Sequence, residues 1–283
     1  MKKILIADSG ATKTDWLYID GKIHQFYRTE GLHPAFLDPE ADAADLKVKI
    51  NEVVPDYVRF YGTGLGNPAS DQKMSAFLTT VFPNAEIQVR TDLEGSAQAF
   101  FGENDGVVAV LGTGSVCAKV ESGKPVQKSA ALGFAIGDEG SAADLGRKIL
   151  RGYYRNQFDE ETQGFIQQKL NPEPYGEMMA RIYQAEKPNR ELASIAGEVL
   201  EEPLPEELNN LIKTAFKKFI TQQLYMLNLK GDEKIIFTGK VAKVHQNRLV
   251  KVMNEAGFSN VEVRYPVIES FLKQVKCSAI KFW

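Results

Sequence analysis

The stretches ILIADSGATKTDWLYIDGK (residues 4–22) and VVAVLGTGSVCAKVESGK (residues 107–124) decide the architecture, because they are built alike. Each reads as an apolar strand, a Gly/Ser/Thr turn, a second strand and a Gly-Lys hairpin. Glycine lets backbone amides approach an anion closely, and neighbouring hydroxyls add donors. Two such turns facing each other can grip a polyphosphate from both sides. Their recurrence also implies a duplicated supersecondary unit.

Outward from the first copy, strands are predicted over residues 4–7, 16–19 and 23–27, with Asp20 and Gly21 at a tight hairpin turn. A helix over 38–54, a strand over 57–61, a helix over 70–82 and a strand over 86–90 follow. Residues 91–101 (TDLEGSAQAFF) read as a helix entered at Asp92, and a domain boundary falls within residues 102–106. The second copy repeats the opening triplet with strands over 107–111, 116–120 and 125–132. A glycine-bearing loop (GFAIGDEGS), a helix over 142–154 and a mainly helical insertion reaching residue 229 come next. Strand over 234–237, helix over 245–256 and strand over 261–264 close the pattern. The domains are therefore residues 1–105 and 106–283, the second carrying an insertion over about 142–229, with the last helix free to pack back on the first domain.

Composition narrows the partners. A hydrophobic fraction of 43% and a charged fraction of 25% fit an ordinary globular protein. The start MKKILIADSG loses its apolar run at Asp8, too early for a secretory core, so a cytoplasmic location is expected. Cys117 and Cys277 form no CxxC pair, which argues against a disulfide framework or a zinc ribbon. A net charge of -3 offers no basic footprint for nucleic acid, and no membrane partner is called for. His24, His33 and His245 lack metal-ligand spacing and read as surface or partly buried residues.

The chemistry-bearing residues cluster in the repeated turns and in two further segments. Asp8 ends an apolar strand just before the first turn, where a carboxylate can face a cleft and hold hydrated magnesium. Gly10, Thr12, Lys13 and Thr14 supply amides, hydroxyls and one ammonium suited to phosphates. A plain hairpin whose Asp, Ser and Thr satisfy the turn is the other reading of the same residues. Gly112, Thr113, Gly114 and Ser115 form the second turn, with neutral donors only. Asp92 has a simple role as a helix N-cap. Its place at the carboxyl end of a strand, where ligands of open sheets collect, equally suits a general base kept ionised by the helix dipole. Asp138 and Glu139 stand on a glycine loop ahead of Ser141, which can cap the next helix; the acids can bind sugar hydroxyls or metal, or remain solvated loop charge. Phe237, Thr238 and Gly239 close a strand and can admit the flat face of a nucleobase. GxxxxGK[ST] and the protein-kinase signatures are absent from the sequence, so ATP needs another cradle.

In order along the chain, DSGATKTDW, TDLEGSAQA, LGTGS, GDEGS and FTGKVA resemble the motifs of the sugar-kinase, Hsp70 and actin superfamily. Within it the chain is most similar to the N-acetylglucosamine kinases grouped with the BadF/BcrA ATPases. The resemblance implies an α/β protein of two ribonuclease H-like domains with mixed sheets flanking an ATP cleft. It implies that Asp8 orders Mg2+ and that Gly10, Thr12, Lys13 and Thr14 with residues 112–115 hold the phosphates of ATP. It further implies that Gly239 lies beside adenosine, that Asp92 is the catalytic base, and that residues 31–34, Gly133, Phe134, Asp138 and Glu139 surround an amino sugar. The expected reaction is phosphoryl transfer from MgATP to N-acetylglucosamine at its 6-hydroxyl, with a homodimer an open option.

Departures from the family pattern are local. Ser9 and Ala11 stand where glycines are frequent, His33 and Pro34 replace a polar pair, and Phe134 replaces a tryptophan. Lys240 follows Gly239 in place of a second glycine, and the tail lacks a Pro-x-x-Gly-Ala ending. Two other functions share the scaffold. An ATPase activator of radical dehydratases needs paired cysteines for a bridging cluster, a setting neither Cys117 nor Cys277 has. A non-catalytic sugar or nucleotide sensor is the other, and retention of Asp92 argues against it. ROK-type kinases carry a cysteine-rich zinc motif that is missing here.

Overall fold

A computed structural model describes residues 2–10, 13–51 and 53–276. Two compact units emerge. The first comprises residues through Asn104, the hairpin tip Glu121–Pro125 and the segment from Pro266 onward; the second comprises Asp105–Val120 and Val126–Tyr265.

The first unit is built on β1 (Ile4–Ser9), β2 (Lys13–Asp20), β3 (Ile23–Glu30), β4 (Tyr57–Gly62) and β5 (Glu86–Thr91). They lie in the order β3-β2-β1-β4-β5, with β1 to β3 antiparallel and β4 and β5 parallel to β1. Period-two alternation divides the sheet between two helix layers. Leu5, Ala7, Trp16 and Phe60 share a core with Leu46 and Met74, which belong to α1 (Pro39–Lys49) and α2 (Pro68–Val81). On the opposite face, Tyr61 meets α3 (Asp92–Phe101) and stacks on Phe271 at 5.2 Å. A Cβ on Gly95 of α3 would fall 2.6 Å from the Tyr61 side chain, so glycine is what lets this helix lie against the sheet.

The second unit repeats this plan. Its β6 (Gly106–Leu111), β7 (Ser115–Glu121), β8 (Lys124–Lys128), β9 (Ile235–Thr238) and β10 (Val261–Val263) run in the order β10-β9-β6-β7-β8, the same topology as the first sheet. Between β8 and β9 lie α4 (Gly133–Ile136), α5 (Ala142–Tyr154), α6 (Glu160–Leu170), α7 (Tyr175–Gln184), α8 (Pro188–Val199) and α9 (Glu206–Phe219). Helix α9 continues through a π-helical turn at Ile220–Leu224. After β9 come α10 (Lys240–Val244) and α11 (Gln246–Glu255). One core joins Val107, Ala109 and Leu111 of β6 to Ile149, Ile195, Phe216, Phe219 and Phe237. The described residues close with α12 (Val267–Lys276), which packs on α3 within the first unit.

Differences from the sequence reading lie mainly at boundaries, though residues 133–136, read as loop, form α4, and a short α10 precedes the helix read over 245–256. Helix α1 stops at Lys49, not at residue 54, because Ile50 closes it by donating its amide to Leu46 O. Strand β8 ends at Lys128 instead of running to residue 132; Ser129 turns inward, where its Oγ accepts the Cys117 amide at 3.0 Å. His245 is buried at 4% exposure, deeper than a surface histidine, and burial pushes its pKa down to about 4. Among the described residues, no helix is long and apolar enough to cross a membrane.

Candidate active site

In the first unit the parallel strands β1, β4 and β5 end level with one another, since Ser9, Gly62 and Thr91 share a row. The row behind them reads Arg28, Asp15, Asp8, Tyr61, Arg90 across the five strands, all on the face that carries α3. Asp15 is buried and satisfied: Lys13 Nζ lies 2.5 Å from one oxygen and Arg28 Nε 2.6 Å from the other. Asp8 makes no side-chain hydrogen bond or ion pair among the described residues. Burial, then the charge of Asp92, then that of Asp15 push its pKa up to about 7, against a smaller lowering by Lys13.

Asp92 is the first residue of α3, and the N-cap is Thr91. The Thr91 hydroxyl accepts the Glu94 amide at 3.2 Å, while Glu94 accepts the Thr91 amide at 3.0 Å, a complete capping box. This corrects the reading of Asp92 as the cap. It also leaves its carboxylate with local backbone partners alone, the Leu93 amide at 2.8 Å and its own amide. The expectation of a dipole-stabilised, readily ionised Asp92 is corrected in sign as well. Burial outweighs the two backbone hydrogen bonds and raises its pKa above the ordinary carboxylate value. The structure thus brings Asp8 and Asp92 close enough to act on each other, with little countercharge between them.

The first turn is closed by Gly10, whose amide donates to Lys13 O at 2.9 Å. Thr12, expected among the phosphate donors, lies outside the described residues, as does Ala11. Thr14 is fully buried, with its Oγ1 2.7 Å from Ser9 Oγ and donating to Glu30 O. Both hydroxyls also accept the Leu32 amide, at 3.2 and 3.3 Å. These side chains therefore anchor the segment leading to His33 and leave ligand contact at Thr14 to the backbone. His33 Nδ1 accepts the Ala35 amide at 3.1 Å, and its ring fills the space over Gly64, at φ +79°.

The second unit carries the other turn. Gly112 donates to Gly114 O at 3.0 Å, and the carbonyls of Gly112 and Thr113 accept the amides of Ala142 and Ala143 at the start of α5. A Cβ on Gly112 would meet nothing within 4 Å, so this side of the turn is open to a ligand. Asp138, at φ +58°, reaches back so that its Oδ1 accepts the Ser115 amide at 3.1 Å. Burial, the largest influence, raises the Asp138 pKa. A Cβ on Gly114 would sit 2.9 Å from that carboxylate. Gly239 closes the arrangement at φ +102°: a Cβ there would fall 2.3 Å from Leu111 O. Gly133 and Phe134 lie on the short α4, whose carbonyl at Phe134 is held by Arg147 Nη1. Of the expected residues in this unit, Gly112, Thr113, Gly114, Ser115, Asp138, Glu139 and Gly239 come together, while Phe134 lines a neighbouring cavity.

Val110 occupies in β6 the position that Asp8 holds in β1, two residues ahead of the turn glycine. The duplication is therefore asymmetric: one turn is backed by carboxylate, the other by hydrocarbon. Sequence reasoning missed Gln223. Its Nε2 donates to Ser115 Oγ and to Glu139 Oε2, both at 2.8 Å, and its Oε1 accepts from Ser129 Oγ at 3.1 Å. A glutamine within the apolar run FITQQLYM was the available signal; the π-helical turn that points it inward is not readable from residue spacing.

No protein-family profile matches the chain, and no curated protein sequence matches it. Solved structures do. The chain is similar to a candidate N-acetylglucosamine kinase from Porphyromonas gingivalis, with TM-score 0.87 and 26% identity over 98% of this chain and 100% of that one. It is similar to a candidate N-acetylglucosamine kinase from Chromobacterium violaceum, with TM-score 0.73 and 15% identity over 96% and 98% of the two chains. Component A of the (R)-2-hydroxyglutaryl-CoA dehydratase of Acidaminococcus fermentans shares the fold at TM-score 0.54 and 12% identity over 96% and 95%. With two sheets of identical topology and a duplicated turn between the first two strands of each, the chain is a member of the sugar-kinase, Hsp70 and actin superfamily.

Proposed function

We propose that the protein is an ATP-dependent sugar kinase that transfers a phosphoryl group from MgATP to a hydroxyl of an amino sugar, N-acetylglucosamine at its 6-hydroxyl foremost. The observation that carries this reading is the placement of Asp8 and Asp92, two buried carboxylates with raised pKa values, at the carboxyl ends of β1 and β5 beside a glycine turn. The 26% identity over nearly the whole of a candidate N-acetylglucosamine kinase supports the choice of substrate class.

In this reading Asp92 accepts the proton of the sugar hydroxyl as the bond to phosphorus forms. A base whose pKa is raised above the usual carboxylate range is better matched to that task than a strongly acidic one. Asp8 has the character of a cation ligand, since an elevated pKa beside two further carboxylates is relieved by a bound divalent ion. One or two carboxylates plus nucleotide oxygens suffice for magnesium, which would neutralise charge on the phosphates. The first turn, and the amides of Thr113 and Gly114 in the second, hold phosphate oxygens, and Gly239 leaves room for adenosine.

The rival activator function shares this fold but asks for exposed thiolates. Cys117 is fully buried in β7, and burial pushes its thiol pKa up to about 12. It does not suit a cluster ligand. Cys277 lies outside the described residues.

A coupled ADP-release assay over N-acetylglucosamine, N-acetylmannosamine, glucosamine, glucose and N-acetylmuramic acid tests the proposal. Stimulation by an amino sugar, strongest with an N-acetylated one, is the expected result. ADP release that no sugar accelerates would refute it.

A further inference from the structure

Helix α9 keeps its regular spacing to Phe219 and then widens into the π-helical turn Ile220–Leu224. Single π-helical turns are rare and concentrate at functional sites. Here the turn carries Gln223 inward, to 4% exposure, while its neighbour Gln222 stays exposed. Two identical side chains in succession thus have opposite surroundings. The loop that bears Glu139 lies against the same helix: a Cβ on Gly140, at φ +75°, would fall 3.3 Å from Phe219 Cβ. The second glycine turn, this loop and the widened turn therefore meet at one side chain, all within the second unit.

The hydrogen bonds of Gln223 have a single consistent direction. A carboxylate oxygen accepts and does not donate, so the end of the amide that faces Glu139 Oε2 at 2.8 Å is the nitrogen and not the carbonyl. The other Nε2 proton goes to Ser115 Oγ, also at 2.8 Å. At the far end Oε1 accepts from Ser129 Oγ at 3.1 Å, and Ser129 Oγ in turn accepts the Cys117 amide at 3.0 Å. Donors thus point one way, from the Cys117 amide through Ser129 and Gln223 to Ser115, and in a buried chain each link polarises the next. Ser115 Oγ stands at the end as an acceptor, so its own proton must point away from Gln223. Among the described residues nothing accepts that proton. The Ser115 amide is already spent on Asp138 Oδ1 at 3.1 Å. What Ser115 retains for a ligand is one hydroxyl donor, at a residue 5% exposed where little water competes. A fixed donor beside a glycine turn suits an anionic oxygen.

We infer that Gln223 is a positioning residue for the second turn: it fixes the Ser115 hydroxyl as a hydrogen-bond donor to a phosphate oxygen and ties the Glu139 loop to the same point. The inference rests on the kinase reading for the identity of the anion, ATP, and its test separates the two. Calorimetry with ATP and Mg2+ on the intact protein is the measurement. Gln223→Met keeps the length of the side chain without a donor, and ATP affinity is expected to fall about tenfold, the scale of one hydrogen bond to a charged group. Ser115→Ala removes the hydroxyl itself and should show the same loss. Because Gln223 acts through Ser115, the double variant should bind ATP within about twofold of Ser115→Ala alone, whereas a packing disturbance that bypasses the hydroxyl makes the two losses multiply. Parent-like ATP affinity in either single variant, or losses that multiply, would overturn the role. Ser115→Ala keeps the test decisive should Gln223→Met lose its cooperative melt, since a silent Ser115→Ala alone removes the donor from the argument. Sugar-stimulated ADP release reads the kinase separately: if a sugar accelerates it while ATP affinity ignores residues 115 and 223, only the positioning role falls. If ATP affinity follows the expected pattern while no sugar accelerates ADP release, the kinase reading falls and the role of Gln223 stands.

Discussion

Asp8 and Asp92 differ in what their burial does. For Asp92, the proposed base, Asp92→Asn keeps shape and the Leu93 contact but cannot take a proton. Turnover is expected to fall by about two orders of magnitude or more, with ATP affinity retained. In the parent, activity should be lost on the acid side at a pH above the ordinary carboxylate range, because the raised pKa protonates the base early. A kcat–pH profile checks both. Asp8 makes a different prediction. Its folded pKa of about 7 lies above the unfolded 3.8, so its contribution is fully favourable below pH 3.8 and is lost as pH rises through 7. Asp8→Asn should therefore stabilise the nucleotide-free protein at pH 8, on the order of 2 kcal/mol, while abolishing magnesium-dependent activity. Thermal melts at pH 5 and pH 8 would show the larger gain at the higher pH.

At the scale of elements, turns and strands were legible where local chemistry decides them. Duplicated strand-turn-strand patterns appeared through alternation and glycine, and α5 was bounded correctly because Ser141 caps it, its Oγ accepting the Asp144 amide at 3.2 Å. Asp92 was misread as the cap, since it and Thr91 are both residue types that cap well and only the reciprocal bond with Glu94 distinguishes them. The raised pKa of Asp92 and the inward aim of Gln223 depend on burial by distant segments, which no local pattern encodes. The β9–α10 junction gives this scale its prediction. Gly239→Ala places a Cβ against a backbone carbonyl at positive φ, so the melting temperature should drop by an amount corresponding to about 2 kcal/mol or more. ATP affinity should weaken with it; an unchanged melt would show that the junction can relax.

For the whole molecule, α12 is the decisive element. It supplies Phe271, fully buried and stacked on Tyr61, and Gln274, whose Nε2 donates to Ala99 O at 2.8 Å. A fragment of residues 1–104 therefore lacks one wall of its own core. It is expected to be a loosened species without cooperative melting, and adding a peptide of residues 266–283 in trans should restore part of the transition. Cooperative unfolding of the fragment alone would show that the helix is dispensable.

The hairpin tip at Glu121–Pro125 extends this dependence to covalent connectivity. Gly123, at φ +73°, donates to Asn104 O at 3.2 Å, and a Cβ on it would fall 1.7 Å from Gly102 O. With this tip and the final helix both assigned to the first unit, the polypeptide passes between units after residues 104, 120, 125 and 265. A protease that nicks the chain once between residues 126 and 265 thus leaves both products holding pieces of the same folded body. Such a nicked sample should elute as one peak in native chromatography and separate into two bands only after denaturation.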